Sequence, residues 1–368
     1  MSDIGERVAA AIAAFGRGEI IIVTDDDDRE NEGDLILAAV HATPEKIGFI
    51  VRHTSGIVCT PIPPATARRL QLQPMVADNT GPQSTAFTVS VDFGPGLTTG
   101  ISAEERCNTV RAIANPNAGA DEFVRPGHVF PLVARDGGVL MRSGHTEAAV
   151  DLCRLAELPE VGVLAELVND DGTVMRGAQV TDFGTGHGLH EVSVADLIAW
   201  RQRREKLVDR VANFSIATFA GPAEAFSYRT PYDATQHLAI VFGEIGDGND
   251  VPVRLHLEAV AADVFGKGRP LDDFVRRFAD EGRGVIIYLR EDSVGVAKSA
   301  MRARDRIDQP ESPSAVRDEE WREIGLGAQI LRDLGVNSIR LFASRERRYI
   351  GVEGFGIAIS ATETIEEE

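Results

Sequence analysis

Cysteine is scarce in this chain. Only Cys59, Cys107 and Cys153 occur among 368 residues, and none follows position 153. Three thiols at these spacings make neither a disulfide framework nor a zinc motif, so they are expected to be reduced. The C-terminal half lacks the soft ligands from which a thiolate zinc site is built. Long apolar runs are missing too: no stretch approaches the ~20 residues that span a bilayer. The N-terminus Met1-Ser2-Asp3-Ile4-Gly5-Glu6-Arg7 has neither the basic segment nor the apolar core of a signal peptide. A cytoplasmic protein without membrane contact is expected. Basic charge is short as well, with a net charge of −19. Residues 1–200 hold 28 acidic and 14 basic residues, and residues 201–368 hold 29 and 24. Neither half has the basic excess of a nucleic-acid binder. The local cluster Arg201-Gln202-Arg203-Arg204-Glu205-Lys206 sits where a helix ends, so it complements the helix dipole and marks a domain junction. The composition is otherwise ordinary for a globular protein, and the length suggests two domains, each with its own core.

What the chain does have is an acidic stretch, Asp25-Asp26-Asp27-Asp28-Arg29-Glu30-Asn31-Glu32-Gly33-Asp34, in which eight of ten residues are charged and seven are negative. It lies between two apolar runs, Ile20–Val23 and Leu35–Ala39, each of which reads as a buried strand. Carboxylates held this close repel, and a hard divalent cation such as Mg²⁺ is the obvious compensator. The plainer reading is a solvated acidic turn.

Residues 3–18 repeat apolar side chains at helical spacing, Thr43-Pro44 reads as a helix start, and residues 64–71 form a short helix. Asp78–Ser84 reads as a mobile loop, Phe87–Asp92 as a strand, and Ser102–Arg106 as a capping-box helix start with Glu105 three residues after Ser102. A strand is expected at Val139–Arg142, then a helix to about Glu157, a strand at Val161–Val168 and a last helix from Ser193. New strands begin near 211, including Ile240–Phe242, Val253–Leu257, Gly284–Leu289 and Ser338–Phe342. Helices are expected at Leu271–Glu281 and Trp321–Leu334, a mobile connection over 302–320, and a disordered acidic tail over 361–368.

Three further polar segments end apolar elements. In Arg142-Ser143-Gly144-His145-Thr146-Glu147, Gly144 permits close approach and the helix start offers free N–H groups to an anion. Arg142 adds a donor fork there, or else makes a surface ion pair. His145 is a metal or proton-transfer ligand, or a satisfied histidine. His128, in Arg125-Pro126-Gly127-His128-Val129-Phe130-Pro131, is an acid/base group or a loop histidine bonded to backbone. Glu166, in a mostly buried strand, is a general acid/base or a strand-edge ion pair. Cys59 reads first as a small core residue, with catalysis the lesser reading.

Taken together, 28–34 (Asp-Arg-Glu-Asn-Glu-Gly-Asp), 52–59 (Arg-His-Thr-Ser-Gly-Ile-Val-Cys), 98–102 (Thr-Thr-Gly-Ile-Ser), 125–132 (Arg-Pro-Gly-His-Val-Phe-Pro-Leu), 144–148 (Gly-His-Thr-Glu-Ala) and 166–172 (Glu-Leu-Val-Asn-Asp-Asp-Gly) occur in one order. Over residues 3–205 the chain resembles the 3,4-dihydroxy-2-butanone 4-phosphate synthases of riboflavin biosynthesis. The resemblance implies an α+β fold with a mixed sheet over residues 1–205. It implies conversion of D-ribulose 5-phosphate to L-3,4-dihydroxy-2-butanone 4-phosphate and formate, with Mg²⁺ or Mn²⁺, two ions per site. It implies Glu30 and His145 as metal ligands. Arg29, Glu30, Asp34, Thr99, Arg142, Ser143, Gly144, His145, Thr146 and Glu166 would meet substrate. His128, Glu166, Glu32 and Cys59 would be catalytic. It also implies a homodimer with active sites at the subunit interface.

Residues 211–360 resemble a GTP cyclohydrolase II domain in Val253–Glu258, Asp263–Gly266, Glu281–Arg290 and Leu334–Leu341. That family's three zinc cysteines are missing. Ala259 stands at the first position, and Arg269-Pro270-Leu271-Asp272 replaces the paired-cysteine motif. Glu291–Ala297 departs from the family's guanosine segment, while Arg322 aligns with its nucleophilic arginine. The expectation is a second α/β domain that binds no zinc and is inactive as a cyclohydrolase. The alternative is a bifunctional enzyme with a zinc-independent nucleotide activity.

Overall fold

The computed structural model describes residues 4–25, 30–81, 83–231, 235–266, 271–290, 325–343 and 357–364. Two compact units divide the chain, the first ending at Trp200 and the second beginning at Arg201.

The first unit has seven strands: β1 (Ile21–Thr24), β2 (Gly33–Ala38), β3 (Cys59–Ile62), β4 (Val91–Phe93), β5 (Phe123–Val133), β6 (Gly162–Glu166) and β7 (Glu191–Ser193). They form one mixed sheet in the order β4-β5-β3-β6-β2-β1-β7. Its helices are α1 (Ile4–Gly16), α2 (Pro44–His53), α3 (Pro64–Arg69), α4 (Ala103–Ala114), α5 (His145–Leu155), α6 (Ala178–His187) and α7 (Val194–Arg204), the last running across the division between units. Every residue of β2 is buried, which is why its sequence reads as a continuous apolar run rather than an alternating one. Ile22, Leu35, Leu37, Ile47, Ile50, Val110, Ile113 and Val163 share one core. Thr43 caps α2, its hydroxyl accepting the Lys46 N–H at 3.3 Å.

Several elements differ from expectation. At Val139–Arg142 the chain forms a 3-10 turn, Gly138–Leu140, instead of a strand. Positive φ at Gly137 and Gly138 turns it, and Asp151 Oδ2 accepts the Val139 N–H at 2.8 Å. The strand expected at Phe87–Asp92 contracts to β4, with Phe87 and Thr88 making only isolated bridges to Leu132 and Pro74. In the loop expected to be mobile, Gly81 accepts from Ser84 and Asn79 bonds the Thr85 carbonyl. Helix α6 was not anticipated because glycines interrupt its pattern; it packs Val180 over Gly33 of β2.

The second unit has β8 (Asp209–Thr218), β9 (Gly221–Arg229), β10 (Gln236–Gly243), β11 (Val251–Leu257), β12 (Arg283–Leu289), β13 (Ser338–Ala343) and β14 (Ala358–Thr364), in the order β14-β13-β11-β12-β10-β9-β8. Helices α8 (Val260–Phe265), α9 (Asp272–Glu281) and α10 (325–333) accompany it. One core gathers Val253, Ile287 and Leu341 with Leu326, Ile330 and Leu331 of α10. Another gathers Phe242, Ile286 and Phe342 with Phe274 and Phe278 of α9. Residues 361–364, expected to begin an acidic tail, continue β14 beside β13. Glu363 is tied there by Arg277 at 3.0 Å and Arg340 at 3.7 Å. The connection 302–320, the segment Glu291–Ala297, Arg269, Pro270, Arg322 and the tail beyond 364 lie outside the described residues. Among the described residues no helix is long and apolar enough to cross a membrane.

Gly127 lets β5 cross close to β4: a Cβ there would lie 2.0 Å from the Val91 carbonyl carbon and 2.2 Å from the Asp92 nitrogen. Both are backbone atoms that cannot swing away. Gly127→Ala is expected to destabilise the first unit by about 1–3 kcal/mol, the range for overpacking, read as a lower urea midpoint.

Candidate active site

The acidic turn joins two paired strands. β1 and β2 run antiparallel with Val23 opposite Asp34 and Thr24 opposite Gly33, so both ends of the turn are fixed. Asp25 folds it back: its carboxylate accepts the N–H groups of Glu32 at 2.9 Å and Glu30 at 3.1 Å. β2 also pairs with β6, which sets Asp34 directly opposite Glu166. Helix α5 starts at His145 and brings its Nδ1 to 3.9 Å from Asp34 Oδ2. Ligand atoms of Asp25, Glu30 and His145 lie within 4.8 Å of one another, as do those of Glu32, Asp34 and His145.

This crowding perturbs the groups in it. Asp34 is buried, and among the described residues its Oδ1 has no hydrogen-bond partner. Burial first, then the charges of Glu32, Glu166, Glu30 and Asp25, push its carboxyl well above the ordinary range. Glu166 ends β6 with its side chain exposed, unlike the buried residues before it. Partial desolvation by its neighbours and then Glu30 still raise its carboxyl, opposed by a hydrogen bond from Ser55. Burial, followed by Asp34 and Glu166, also raises the Cys59 thiol, so any chemistry at Cys59 is that of a neutral thiol. Hard oxygen donors, one imidazole and an orphaned buried carboxylate oxygen fit a divalent cation of the Mg²⁺ or Mn²⁺ kind.

Beside this cluster, Gly144 is the N-cap of α5, followed by His145 and Thr146. Arg142 makes an ion pair, half-buried on its own side and with a buried partner. Its Nη1 donates to Glu147 Oε2 at 2.7 Å, and its Nη2 to the Gln83 carbonyl at 3.0 Å and Thr85 Oγ1 at 3.3 Å. The other Glu147 oxygen accepts the Arg135 N–H at 2.9 Å. Burial pushes the Glu147 carboxyl up while Arg142 pulls it down. The guanidinium is thereby fixed at the mouth of α5, so close that a Cβ on Gly144 would sit 2.4 Å from Arg142 Nη1.

His128 and Thr99 do not join this group within one chain. The sheet order places β3 and β6 between β5, which carries His128, and β2, which carries Asp34. Three strand spacings amount to about 14 Å. His128 instead keeps company with Asp92, Nδ1 to Oδ2 at 2.7 Å, and with Gly100, the neighbour of Thr99. The Thr98–Ser102 turn is stapled by Glu105, which accepts from Thr98 N and Thr98 Oγ1, both at 2.7 Å, and from Ser102 Oγ at 2.8 Å. These bonds, Thr98 first, hold the Glu105 carboxyl far below the usual range. Arg29 lies outside the described residues. Residue-by-residue reading missed Asp92, which looks like the outward position of an alternating strand. It also missed Glu147 as the partner of Arg142.

In the second unit, at Ala259, where the sequence lacks the family's zinc cysteine, the backbone N–H donates to Asp263 Oδ2 at 2.8 Å. Asp263 also bonds His256 Nε2 at 2.9 Å and accepts from Tyr288 OH at 2.6 Å.

The 3,4-dihydroxy-2-butanone 4-phosphate synthase family matches residues 9–200. This chain belongs to that family. The GTP cyclohydrolase II family matches residues 209–365, so a synthase domain is fused to a cyclohydrolase II domain. The riboflavin biosynthesis protein RibBA of Nocardia farcinica is 45% identical over 97% of this chain and 89% of its own length. The bifunctional riboflavin biosynthesis protein RIBA 1, chloroplastic, of Arabidopsis thaliana is 44% identical over 96% of this chain and 67% of its own. Among solved structures, RibBX from A. baumannii, described as a two-domain 3,4-dihydroxy-2-butanone 4-phosphate synthase, aligns with TM-score 0.82 and 34% identity. It covers 98% of this chain and 100% of its own. A 3,4-dihydroxy-2-butanone 4-phosphate synthase in complex with two magnesium ions aligns with TM-score 0.52 and 43% identity, over 54% of this chain and 97% of its own. The synthase is thus an enzyme of riboflavin biosynthesis, with two α/β domains built on mixed sheets.

Removing Glu147 leaves the Arg142 charge and the Arg135 N–H without their partner. Glu147→Ala is expected to cost roughly 3 kcal/mol, as for other broken buried pairs, and to raise the substrate KM by freeing Arg142. Thermal unfolding and steady-state kinetics measure both.

Proposed function

We propose that the first unit converts D-ribulose 5-phosphate to L-3,4-dihydroxy-2-butanone 4-phosphate and formate around a divalent metal site on Glu30 and His145. The observation that carries this is the convergence of Asp25, Glu30, Glu32, Asp34 and His145, with a buried Asp34 oxygen left over. The two overlapping triads suit two ions, the number in the related magnesium-bound synthase. Bound Mg²⁺ or Mn²⁺ supplies Lewis-acid polarisation of adjacent sugar oxygens. The chain's own groups do the rest. Arg142, Ser143, Gly144 and Thr146 at the start of α5 hold the phosphate, with Thr99 assisting and Arg29 and Asp34 meeting the sugar. Glu32 lies beside the reacting hydroxyls. Glu166, its carboxyl raised by partial desolvation and by Glu30, accepts and returns protons, and His128 is the opposing acid/base. Cys59 serves as a neutral thiol beside Asp34 and Glu166.

His128 stands three strand spacings, about 14 Å, across the sheet from Asp34, and Thr99 adjoins the Gly100 that packs beside His128, so one chain holds two half-sites. A homodimer in the cytoplasm, with each site completed across the subunit interface, accounts for this division. The test is formate release from ribulose 5-phosphate with and without Mg²⁺. Glu30→Ala and His145→Ala are each expected to lose at least about 100-fold in kcat, and added Mg²⁺ should raise their melting temperature less than that of wild type. Full activity in both variants would falsify the metal assignment.

For the second unit we favour a domain that binds no zinc and is inactive as a cyclohydrolase, acting in stability, regulation or docking. No cysteine follows residue 153, and the Ala259 amide is engaged by Asp263. RibBX, similar over 98% of the chain, is described as a two-domain 3,4-dihydroxy-2-butanone 4-phosphate synthase. The second reading is a bifunctional enzyme with a zinc-independent nucleotide activity, and the similarity to the bifunctional Arabidopsis protein favours it. Incubation with GTP and Zn²⁺ is expected to release no formate above background; turnover there would sink the inactive reading.

A further inference from the structure

We propose that Asp92 is the positioning residue for His128 in the synthase reaction, fixing the ring so that Nδ1 carries the proton and Nε2 faces the chemistry. This rests on the acid/base reading of His128. Asp92 grips His128 twice: one carboxylate oxygen accepts the His128 backbone N–H at 2.8 Å, and the other meets ring Nδ1 at 2.7 Å. The carboxylate side chain is 4% exposed while the histidine side chain is 42% exposed, so the pair is anchored at its acidic end and open at the other. An ionised carboxylate can only accept, which selects the Nδ1–H tautomer and leaves Nε2 to take or give a proton.

The surroundings are built to hold this pair. Ser90 accepts the Gly127 N–H at 3.1 Å, one residue before the Asp92–His128 contact. Arg106 of α4 is buried and donates to the Gly56 carbonyl at 3.1 Å. Burial pushes its guanidinium down and the Asp92 charge opposes that, so a cation faces the carboxylate from the helix side. Gly100 closes the third side: a Cβ there would lie 2.1 Å from Asp92 Oδ2 and 2.7 Å from His128 Nδ1. The same turn presents Thr99, so the turn that reaches for the phosphate also braces the dyad.

The experiment compares Asp92→Asn, Gly100→Ala and His128→Gln in the full chain. It combines steady-state kinetics on ribulose 5-phosphate with ¹⁵N NMR of the histidine rings, where the signal lost in His128→Gln assigns His128. Wild type is expected to show Nδ1–H. The asparagine amide donates to Nδ1 and reverses the tautomer, with kcat falling at least about 100-fold, the lower range for acid/base catalysis, and KM staying within about threefold. If Asp92→Asn does not fold, Gly100→Ala, which pushes Asp92 off the ring, carries the same two readouts. Wild-type kcat in the altered variant, or a kcat loss with the tautomer unchanged, overturns the proposal. Full activity in His128→Gln would instead overturn the acid/base reading, and the NMR tautomer would still decide whether Asp92 sets the ring.

Discussion

The synthase unit depends on holding like charges together. Five carboxylates, from Asp25, Glu30, Glu32, Asp34 and Glu166, meet at one end of β1, β2 and β6, with Asp25 and Asp34 buried and Glu166 exposed at the rim, and their repulsion is strong. Such an arrangement survives because the backbone gives it no exit. Pairing of β1 with β2 closes the turn from both sides, and the amides of Glu30 and Glu32 commit their donors to Asp25. The apolar core beneath, from Ile22 to Val163, supplies the free energy that this concentration of charge opposes. Function and stability conflict at this point, and a cation relieves both problems at once.

The same logic governs the neighbouring cation. Arg142 would be a mobile surface group if the sequence alone decided. Glu147, one turn into α5, buries its carboxylate to catch it. A desolvated ion pair is a poor source of stability, but it fixes direction. Here it aims a guanidinium past a glycine that must remain bare.

Much of the architecture could be read from local pattern. The wholly buried run of β2, the Thr43 cap and the Ser102 cap follow from rules that act over a few residues. The site was legible for the same reason: the turn, the Gly144-His145 helix start and Glu166 each carry a local signature, and the family resemblance set them in order. What stayed hidden depends on sheet order. Nothing within Phe87–Asp92 says that Asp92 faces a histidine 36 residues away, or that His128 lies three strands along the sheet from Asp34. The expected strand at Val139–Arg142 failed for a comparable reason, because Asp151 on α5 captures the Val139 amide. Helix α6 was obscured by its glycines, one of which, Gly184, is accounted for only by its packing against Ile22 of β1.

The C-terminal strand shows how far composition can mislead. Residues 361–364, which look like the start of a solvated acidic end, complete β14, hydrogen-bonded along β13, whose Ile339, Leu341 and Phe342 are buried. Trimming the chain from Ile357 onward to tidy an apparent tail would strip that cover. β13 would then present a free, apolar sheet edge, the kind of surface on which chains stack and aggregate. Strand β14 thus serves as a guard rail, with Glu363 tied to two arginines and a strand's worth of backbone bonds within.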